Sequence, residues 1–376
     1  MKLSGKIQAI AGSQTVAFTT LIQQYRQEGR KIIDLAVGEP QFDTPAPVID
    51  ATKAALDAQK TRYSPVNGIP ELRSQLAIRF SGYDAENILL TNGSKQALYM
   101  IFQIICDPTD EVIIPVPYWV SFIEQVKLAG GKPVPVATRD HQLNCEAIKC
   151  AVTPRTKAIL INSPNNPSGA VYPMAEIQKI ARLAEDHNLF IIADEAYNAF
   201  IYDGNVHASM FDIERVRNRV IVTRSFSKSY SMTGFRIGYV AAPDKIIAAL
   251  SKIQSHLSGN VCTFAQYGAL AALSLEGDLL SSRQSELQQK RDIAFQTISK
   301  WFDCIKPQGA FYLFPDVSTA LKNDETSDAL ARRLLEQAGV AVVAGEAFGM
   351  AKHLRISFAV SEENLKNGLE RLAEVL

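Results

Sequence analysis

A doubly wound α/β domain followed by a smaller α+β unit is the fold this sequence predicts, on three observations. Between about residue 86 and 240, short apolar runs alternate with longer amphipathic stretches, as happens when helices cover both faces of a mostly parallel sheet. Beyond about Lys245 the pattern changes to long helical stretches, then to short strands alternating with helices. The chain is also long enough, since 376 residues at 47% hydrophobic content supply roughly two cores.

In chain order, the segment before Gly38 has too little apolar content to fold alone and is expected to dock on another part of the molecule. Strands are predicted at Ile88 to Leu90, Val112 to Val116, Pro133 to Val136, Ala158 to Ile161, Leu189 to Ala193, Val220 to Val222 and Ile237 to Ala241. Between them, apolar residues three and four apart predict helices over Ser94 to Ile105, Tyr118 to Ala129 and Met174 to His187. Thr263 to Leu275 reads as a further helix, and the charged run Ser281 to Trp301, free of Gly and Pro, as a spine between domains. Ala310 to Phe314, Val340 to Val343 and Leu354 to Phe358 then read as strands, with helices at Ser327 to Ala338 and Glu362 to Leu376.

Charge and composition exclude several functions. Lys+Arg 39 against Asp+Glu 39 leaves a formal net charge of +0, so no global field holds nucleic acid or an anionic membrane, and a small molecule is the expected partner. No apolar stretch is long enough to span a bilayer, and the start MKLSGKIQAIAGSQ has no continuous apolar region of the kind a secretory leader needs. Five scattered cysteines with no C-x-x-C pair suit a reducing compartment, so a cytoplasmic protein without structural disulfides is expected. The five histidines form no metal-ligand spacing, and no metal is expected.

In an open α/β sheet the ligand lies beyond the carboxyl ends of the strands. Polar residues collect there: Thr91-Asn92-Gly93-Ser94-Lys95 at a helix start, Asn162 to Gly169, Asp194-Glu195-Ala196-Tyr197, and Arg224-Ser225-Phe226-Ser227-Lys228. Taken singly, each has an ordinary explanation. Gly93-Ser94 suits a helix cap, Asn166 to Gly169 a turn, Asp194 a cap or ion pair, and Lys228 a solvated charge. Together they present an anion cradle, an amide, a carboxylate and an amine toward one crevice.

That ordered set, with Arg236 after the lysine, resembles the fold-type I pyridoxal-phosphate enzymes. The stretches LAVGEP, YSPVNGIPELR, NGSKQAL, PVPYWVSF, INSPNNPSGAVYP, IIADEAYNAF, SFSKSYSMTGFRIGY, PQGAFYLF and LRISFA resemble the class I aminotransferases. Within that family the likeness is to the prokaryotic-type aspartate aminotransferase branch, which includes aspartate/prephenate aminotransferases, and it runs from about Thr15 to the C-terminus. The resemblance implies a large doubly wound domain with a seven-stranded, mostly parallel sheet over residues 42–285. A smaller α+β domain over 286–376 would be completed by an N-terminal arm, residues 1–41.

It also implies roles for residues. Deprotonating an amino acid at Cα needs an electron sink, which pyridoxal phosphate provides when its ring nitrogen is protonated. Asp194 matches the carboxylate that holds that proton, and Lys228 the amine that links to the cofactor and then carries the proton. Asn166 and Tyr197 resemble the pair bonded to the cofactor's 3′-oxygen, and Trp119 the aromatic stacked on its ring. Gly93, Ser94, Lys95, Ser225 and Arg236 resemble the phosphate cup, joined by Tyr63 from a neighbouring subunit, so that the active unit is a homodimer with shared sites.

For substrate, Arg355 resembles the arginine that grips the α-carboxylate bidentately, a geometry lysine cannot supply. Gly38 resembles a loop closing over the same group. Lys95 matches a lysine reserved for a distal carboxylate, while Ser13 and Thr15 resemble arm residues that order on closure. Lys95 serves either that carboxylate or the phosphate. The expected reaction moves an amino group from an L-amino acid, aspartate or another acidic donor, to a 2-oxo acid such as 2-oxoglutarate or oxaloacetate in two half-reactions. Ala196, Asn198 and the segment SGNVCTFAQ depart from the branch and leave open an aromatic, prephenate or other neutral donor. The same constellation also supports elimination at the α-carbon. A ligand-sensing regulator on this fold would need a DNA-binding module, for which no room is expected.

Overall fold

The computed structural model describes residues 4–8, 10–12, 14–322 and 325–376, with the side chains of residues 6 and 14–17 excepted. Its strands in chain order are β1 Ile33–Asp34, β2 Ile88–Thr91, β3 Glu111–Val116, β4 Lys132–Ala137, β5 Thr156–Asn162, β6 Phe190–Asp194 and β7 Val220–Ser225. After these come β8 Gly238–Ala241, β9 Tyr312–Leu313, β10 Val340–Ala341, β11 Val343–Ala344 and β12 Leu354–Ser357.

The main sheet has seven strands in the order β2-β8-β7-β6-β5-β3-β4. All neighbours run parallel except β8, which is antiparallel to both β2 and β7. The predicted sheet is therefore present, with its seven strands where the apolar runs lie. Its middle strands are buried on both faces, which explains their continuous Ile, Val, Leu and Ala content. Successive residues alternate between two cores: Ile159, Ile161 and Ile191 enter one, Ala158, Leu160 and Ile192 the other. The helix Met174–Asp186 covers the first face, with Ile177, Ile180 and Ala181 inward; Ser94–Ile105 covers the second, with Ala97, Leu98 and Ile101 inward.

A further core joins the two ends of the chain. Phe18 and Ile22 of the helix Gln14–Gln27 and Ile33 and Leu35 pack with Leu330, Leu334, Val340, Leu365 and Leu369. β1 pairs in parallel with β10, Ile33 opposite Val340. The N-terminal segment thus docks on the C-terminal third. The 21-residue helix Asp278–Ile298 runs between the cores, starting before the predicted Ser281 and stopping short of Trp301.

Two sequence expectations change. Val340 to Val343 is not one strand: β10 pairs with β1, whereas β11 pairs antiparallel with β12, so the chain changes sheets at Val342. The helix predicted from Tyr118 begins at Ser121. The Tyr118 amide donates instead to Phe348 O, at 3.2 Å, which ties it to the C-terminal unit. Among the described residues no helix is long and apolar enough to cross a membrane.

Candidate active site

The carboxyl ends of β2, β5, β6 and β7 open on the same side of the sheet. At β2 the chain turns through Gly93, at φ 75°, into the helix Ser94–Ile105. The free amides of that first turn carry the positive end of the helix dipole. Two glycines let other groups crowd it. A Cβ on Gly93 would lie 2.6 Å from Arg236 Nη2; one on Gly238, in β8, would lie 2.8 Å from Ser94 N. Arg236 is steadied by its Nη1 donating to Thr233 O at 2.9 Å. A helix terminus and a guanidinium so converge on one spot, an arrangement suited to a dianionic phosphate.

At the end of β6, Asp194 is only 4% exposed. Its Oδ1 accepts from Ala196 N at 3.2 Å and from Thr223 Oγ1 at 3.4 Å. Burial pushes the carboxyl up to about 7, with neighbouring Glu195 adding to the rise; these hydrogen bonds and Lys228 offset it only partly. Glu195 goes the other way, down to about 2, because Arg224 and His207 outweigh its burial. Arg224 donates to Glu195 Oε2 through both Nε and Nη2, at 2.9 and 2.7 Å. Of two adjacent buried carboxylates, one has its cation inside the protein and the other lacks one.

Beyond β5, Asn162 Oδ1 accepts from Asn166 N at 3.0 Å, and its Nδ2 donates to Asp194 O at 3.1 Å. Asn166 then links three groups. Its Oδ1 accepts from Arg355 Nη1 at 3.0 Å, and its Nδ2 lies 3.4 Å from the Tyr197 hydroxyl, which shares a 2.9 Å hydrogen bond with the Tyr312 hydroxyl. Arg355, on β12, also donates to Ala36 O at 2.9 Å and sits over the Tyr312 ring at 4.4 Å.

Lys228, in the turn after β7, donates from Nζ to Gly38 O. Burial pulls its amine down to about 8; Glu39 opposes this, while Arg355, Arg236 and Lys95 push the same way. Four cations thus act on one region, and an anionic ligand is what balances them.

These groups wall one cavity of about 570 Å³, to which Gly38, Ser94, Trp119, Asn166, Asp194, Tyr197, Lys228, Arg236 and Arg355 all contribute. Other predicted residues lie outside it. Gly93 stands behind Arg236. Lys95 lines an adjoining cavity of about 320 Å³ with Glu124 and Glu346, its Nζ 5.0 Å from the centroid of Trp119. Ser225 caps the turn by accepting from Ser227 N at 3.1 Å, and Ser227 reaches the cavity instead. Tyr63 is 98% exposed. Ser13 and the side chain of Thr15 lie outside the described residues.

The cavity also holds residues to which sequence reasoning gave no role: Asn162, Tyr312, Asp34, Arg26, Glu39 and Thr233. A polar residue inside an otherwise apolar strand, as Tyr312 is within Ala310 to Phe314, was the available signal for one of them.

A phosphorylated pyridine aldehyde fits this donor set. Asp194 lacks the cation that a protonated ring nitrogen would be, the helix terminus and Arg236 suit its phosphate, and Lys228 supplies an amine partly neutral near pH 8.

Residues 30–372 match the family described as aminotransferase class I and II. The chain is 41% identical to a probable aspartate/prephenate aminotransferase of Aquifex aeolicus, covering 100% of this chain and 98% of that one. It is 37% identical to the aspartate aminotransferase of Bacillus subtilis, over 99% and 98%. Among solved structures it is similar to the Thermus thermophilus aspartate aminotransferase with maleate, at TM-score 0.95 and 39% identity over 100% of both chains. The aspartate aminotransferase of Thermotoga maritima superposes at TM-score 0.93, with 36% identity over 99% of both chains. A likeness this complete, on a fold whose strand ends gather an amine, a carboxylate and an anion cradle, establishes that the chain belongs to the class I and II aminotransferases, enzymes that move an amino group from an amino acid to a 2-oxo acid.

Proposed function

We propose that the chain uses pyridoxal phosphate and prefers an acidic amino donor, aspartate or a close relative, with 2-oxoglutarate or oxaloacetate as acceptor. The observation that carries this reading is that the Lys228 amine and the Asp194 carboxyl share the wall of one cavity with Arg236 and Arg355. When bound, the cofactor supplies the electron sink that makes the substrate Cα–H acidic and stores the amino group between the two halves of the reaction.

The chain's own groups do the rest. Asp194 pairs with the ring nitrogen and keeps its proton there. Arg236 and the Ser94 end of the helix hold the phosphate, while Trp119 walls the ring. Asn166 and Tyr197 present N–H and O–H donors toward the ring oxygen. Arg355 receives the substrate carboxylate, and Lys228 Nζ takes the proton from Cα and returns it elsewhere. Closure of a unit made of residues 1–41 and 286–376 over residues 42–285 would exclude water.

The acidic preference rests on Lys95, whose amine is pushed down by burial and by Arg236. Lys95 lies beyond Trp119 in the adjoining cavity, and its charge acts on Lys228, so a substrate whose second carboxylate extends past Trp119 would meet it. The homodimer reading rests on Tyr63, an aromatic left almost wholly uncovered in the single chain. A cytoplasmic location agrees with five unpaired cysteines.

The test is a panel of amino donors, acidic and aromatic, against both acceptors, with wild type beside Lys95→Ala. A loss confined to acidic donors supports the reading. An equal loss across all donors assigns Lys95 to the phosphate and removes the basis for the acidic preference.

A further inference from the structure

The segment around Asp34 touches both Arg355 and Lys228. The backbone of Leu35 is pinned on two sides: its N–H donates to Ala341 O at 2.9 Å and its carbonyl accepts from Ser357 N at 2.8 Å. Three residues further on, Gly38 O receives Lys228 Nζ. Between these anchors lies Ala36, whose carbonyl receives Arg355 Nη2 at 2.9 Å. The Ala36 N–H is taken by Asp34 Oδ1 at 3.1 Å. Asp34 itself lines the cavity, and its Oδ2 lies 3.4 Å from Arg26 Nη2 on the helix Gln14–Gln27.

A guanidinium can grip a carboxylate through two parallel N–H groups only if its plane and rotation are fixed beforehand. Arg355 has two hydrogen-bonded anchors in the described structure, Asn166 Oδ1 and Ala36 O. Its Nε is buried and has no partner among the described residues. The Asn166 anchor is a side chain whose backbone N–H is held by Asn162 Oδ1. The Ala36 anchor is a backbone carbonyl, which stays aimed only while its residue cannot rotate. Residues 33 to 35 are clamped by β10 and β12, whereas the turn at Ala36 is closed by the Asp34 side chain.

Resting on the reading that Arg355 receives the substrate carboxylate, we infer that Asp34 is a positioning residue for that grip: its Oδ1 locks the Ala36 residue so that the Ala36 carbonyl holds Arg355 in its gripping rotation. An aspartyl oxygen reaches an amide two residues on, and asparagine reaches it equally well. Glutamate keeps the charge but places its oxygens one methylene too far for that turn. The hydrogen bond, rather than the charge, is the working feature.

The experiment measures the affinity of the pyridoxal-phosphate-loaded enzyme for succinate, an unreactive dicarboxylate, by calorimetry, with KM and kcat for aspartate alongside. Asp34→Ala and Asp34→Glu should each bind succinate about tenfold more weakly and raise KM correspondingly, with kcat within about threefold of wild type. Asp34→Asn should stay within about threefold of wild type on every count. Should Asp34→Ala not fold, the pair Asp34→Asn and Asp34→Glu decides alone, because a charge role predicts the opposite order. Wild-type binding by Asp34→Glu, or losses as large in Asp34→Asn, would overturn the inference. Arg355→Ala separates the two layers. If it binds succinate like wild type, the grip itself is misassigned and the inference goes with it. If it loses binding while Asp34→Glu does not, only the positioning role fails.

Discussion

Arg355 and Asn166, 189 residues apart in sequence, are joined by a 3.0 Å hydrogen bond from Nη1 to Oδ1. One belongs to β12 of the C-terminal unit, the other to the loop beyond β5 of the main sheet. The amide of Asn166 also faces the Tyr197 hydroxyl, at 3.4 Å. A group proposed for the cofactor and a group proposed for the substrate therefore share one side chain.

Replacing Asn166 by Ala leaves the buried Arg355 with a single acceptor and takes a neighbour from Tyr197. A lost hydrogen bond to a charged group costs about 1.5–3 kcal/mol. KM for amino acids and 2-oxo acids should rise together by roughly tenfold or more, and steady-state kinetics with one donor and one acceptor would show it. A rise for one substrate only would contradict the shared role.

Asp194 gives a stability prediction with a definite sign. Its carboxyl lies at about 7 in the folded chain against the ordinary aspartate value of 3.8. Below the lower value both states are protonated. Between the two the native state keeps a proton that the unfolded chain has released, and above about 7 it must bury the charge. Stability therefore falls as pH rises through this window. Asp194→Asn should stabilise the cofactor-free protein at pH 8 by on the order of 2–4 kcal/mol and leave it unchanged at pH 3. Denaturant melts at both pH values are the check, and transamination should fall strongly in the same variant.

Lys228 should capture pyridoxal phosphate with a rate that climbs toward about pH 8 and levels above it, since only the neutral amine attacks a carbonyl. Glu39 holds the amine's proton by Coulomb attraction. Glu39→Gln should therefore move the profile to lower pH, and Lys228→Ala should abolish the adduct. Borohydride trapping followed by peptide mapping reads both, and an unshifted profile in Glu39→Gln would count against the electrostatic account.

Gly238 is confined by backbone atoms. An added Cβ would meet Ser94 N at 2.8 Å and Arg224 O at 2.9 Å, neither of which is the movable end of a side chain. Gly238→Ala should cost about 1–3 kcal/mol of stability. Because the first turn of the helix is displaced, it should also weaken pyridoxal-phosphate binding by roughly tenfold or more. Fluorescence titration with the cofactor measures the second effect; unchanged affinity would mean that the helix terminus does not form the phosphate cup.

Residue order alone determined the main sheet and the identity of the groups at its strand ends. Runs such as Ala158 to Ile161 and Leu189 to Ala193 are apolar throughout because both their faces are buried, and that burial is written in local composition. Turn residues such as Gly93 and the asparagines after β5 follow from backbone geometry of equally short range. Only the tertiary structure decided the rest. The break at Val342 arises because Val340 finds Ile33, hundreds of residues earlier in the chain, while Val343 finds Arg355 in a different sheet, a division that no local periodicity encodes. The same holds for Asp34 and Arg26, which reach the cavity through packing of the two chain ends. The unequal proton affinities of Asp194 and Glu195, neighbours in sequence and both buried, come from where Arg224 falls in space: it pairs with Glu195 and leaves Asp194 a carboxylate without its cation.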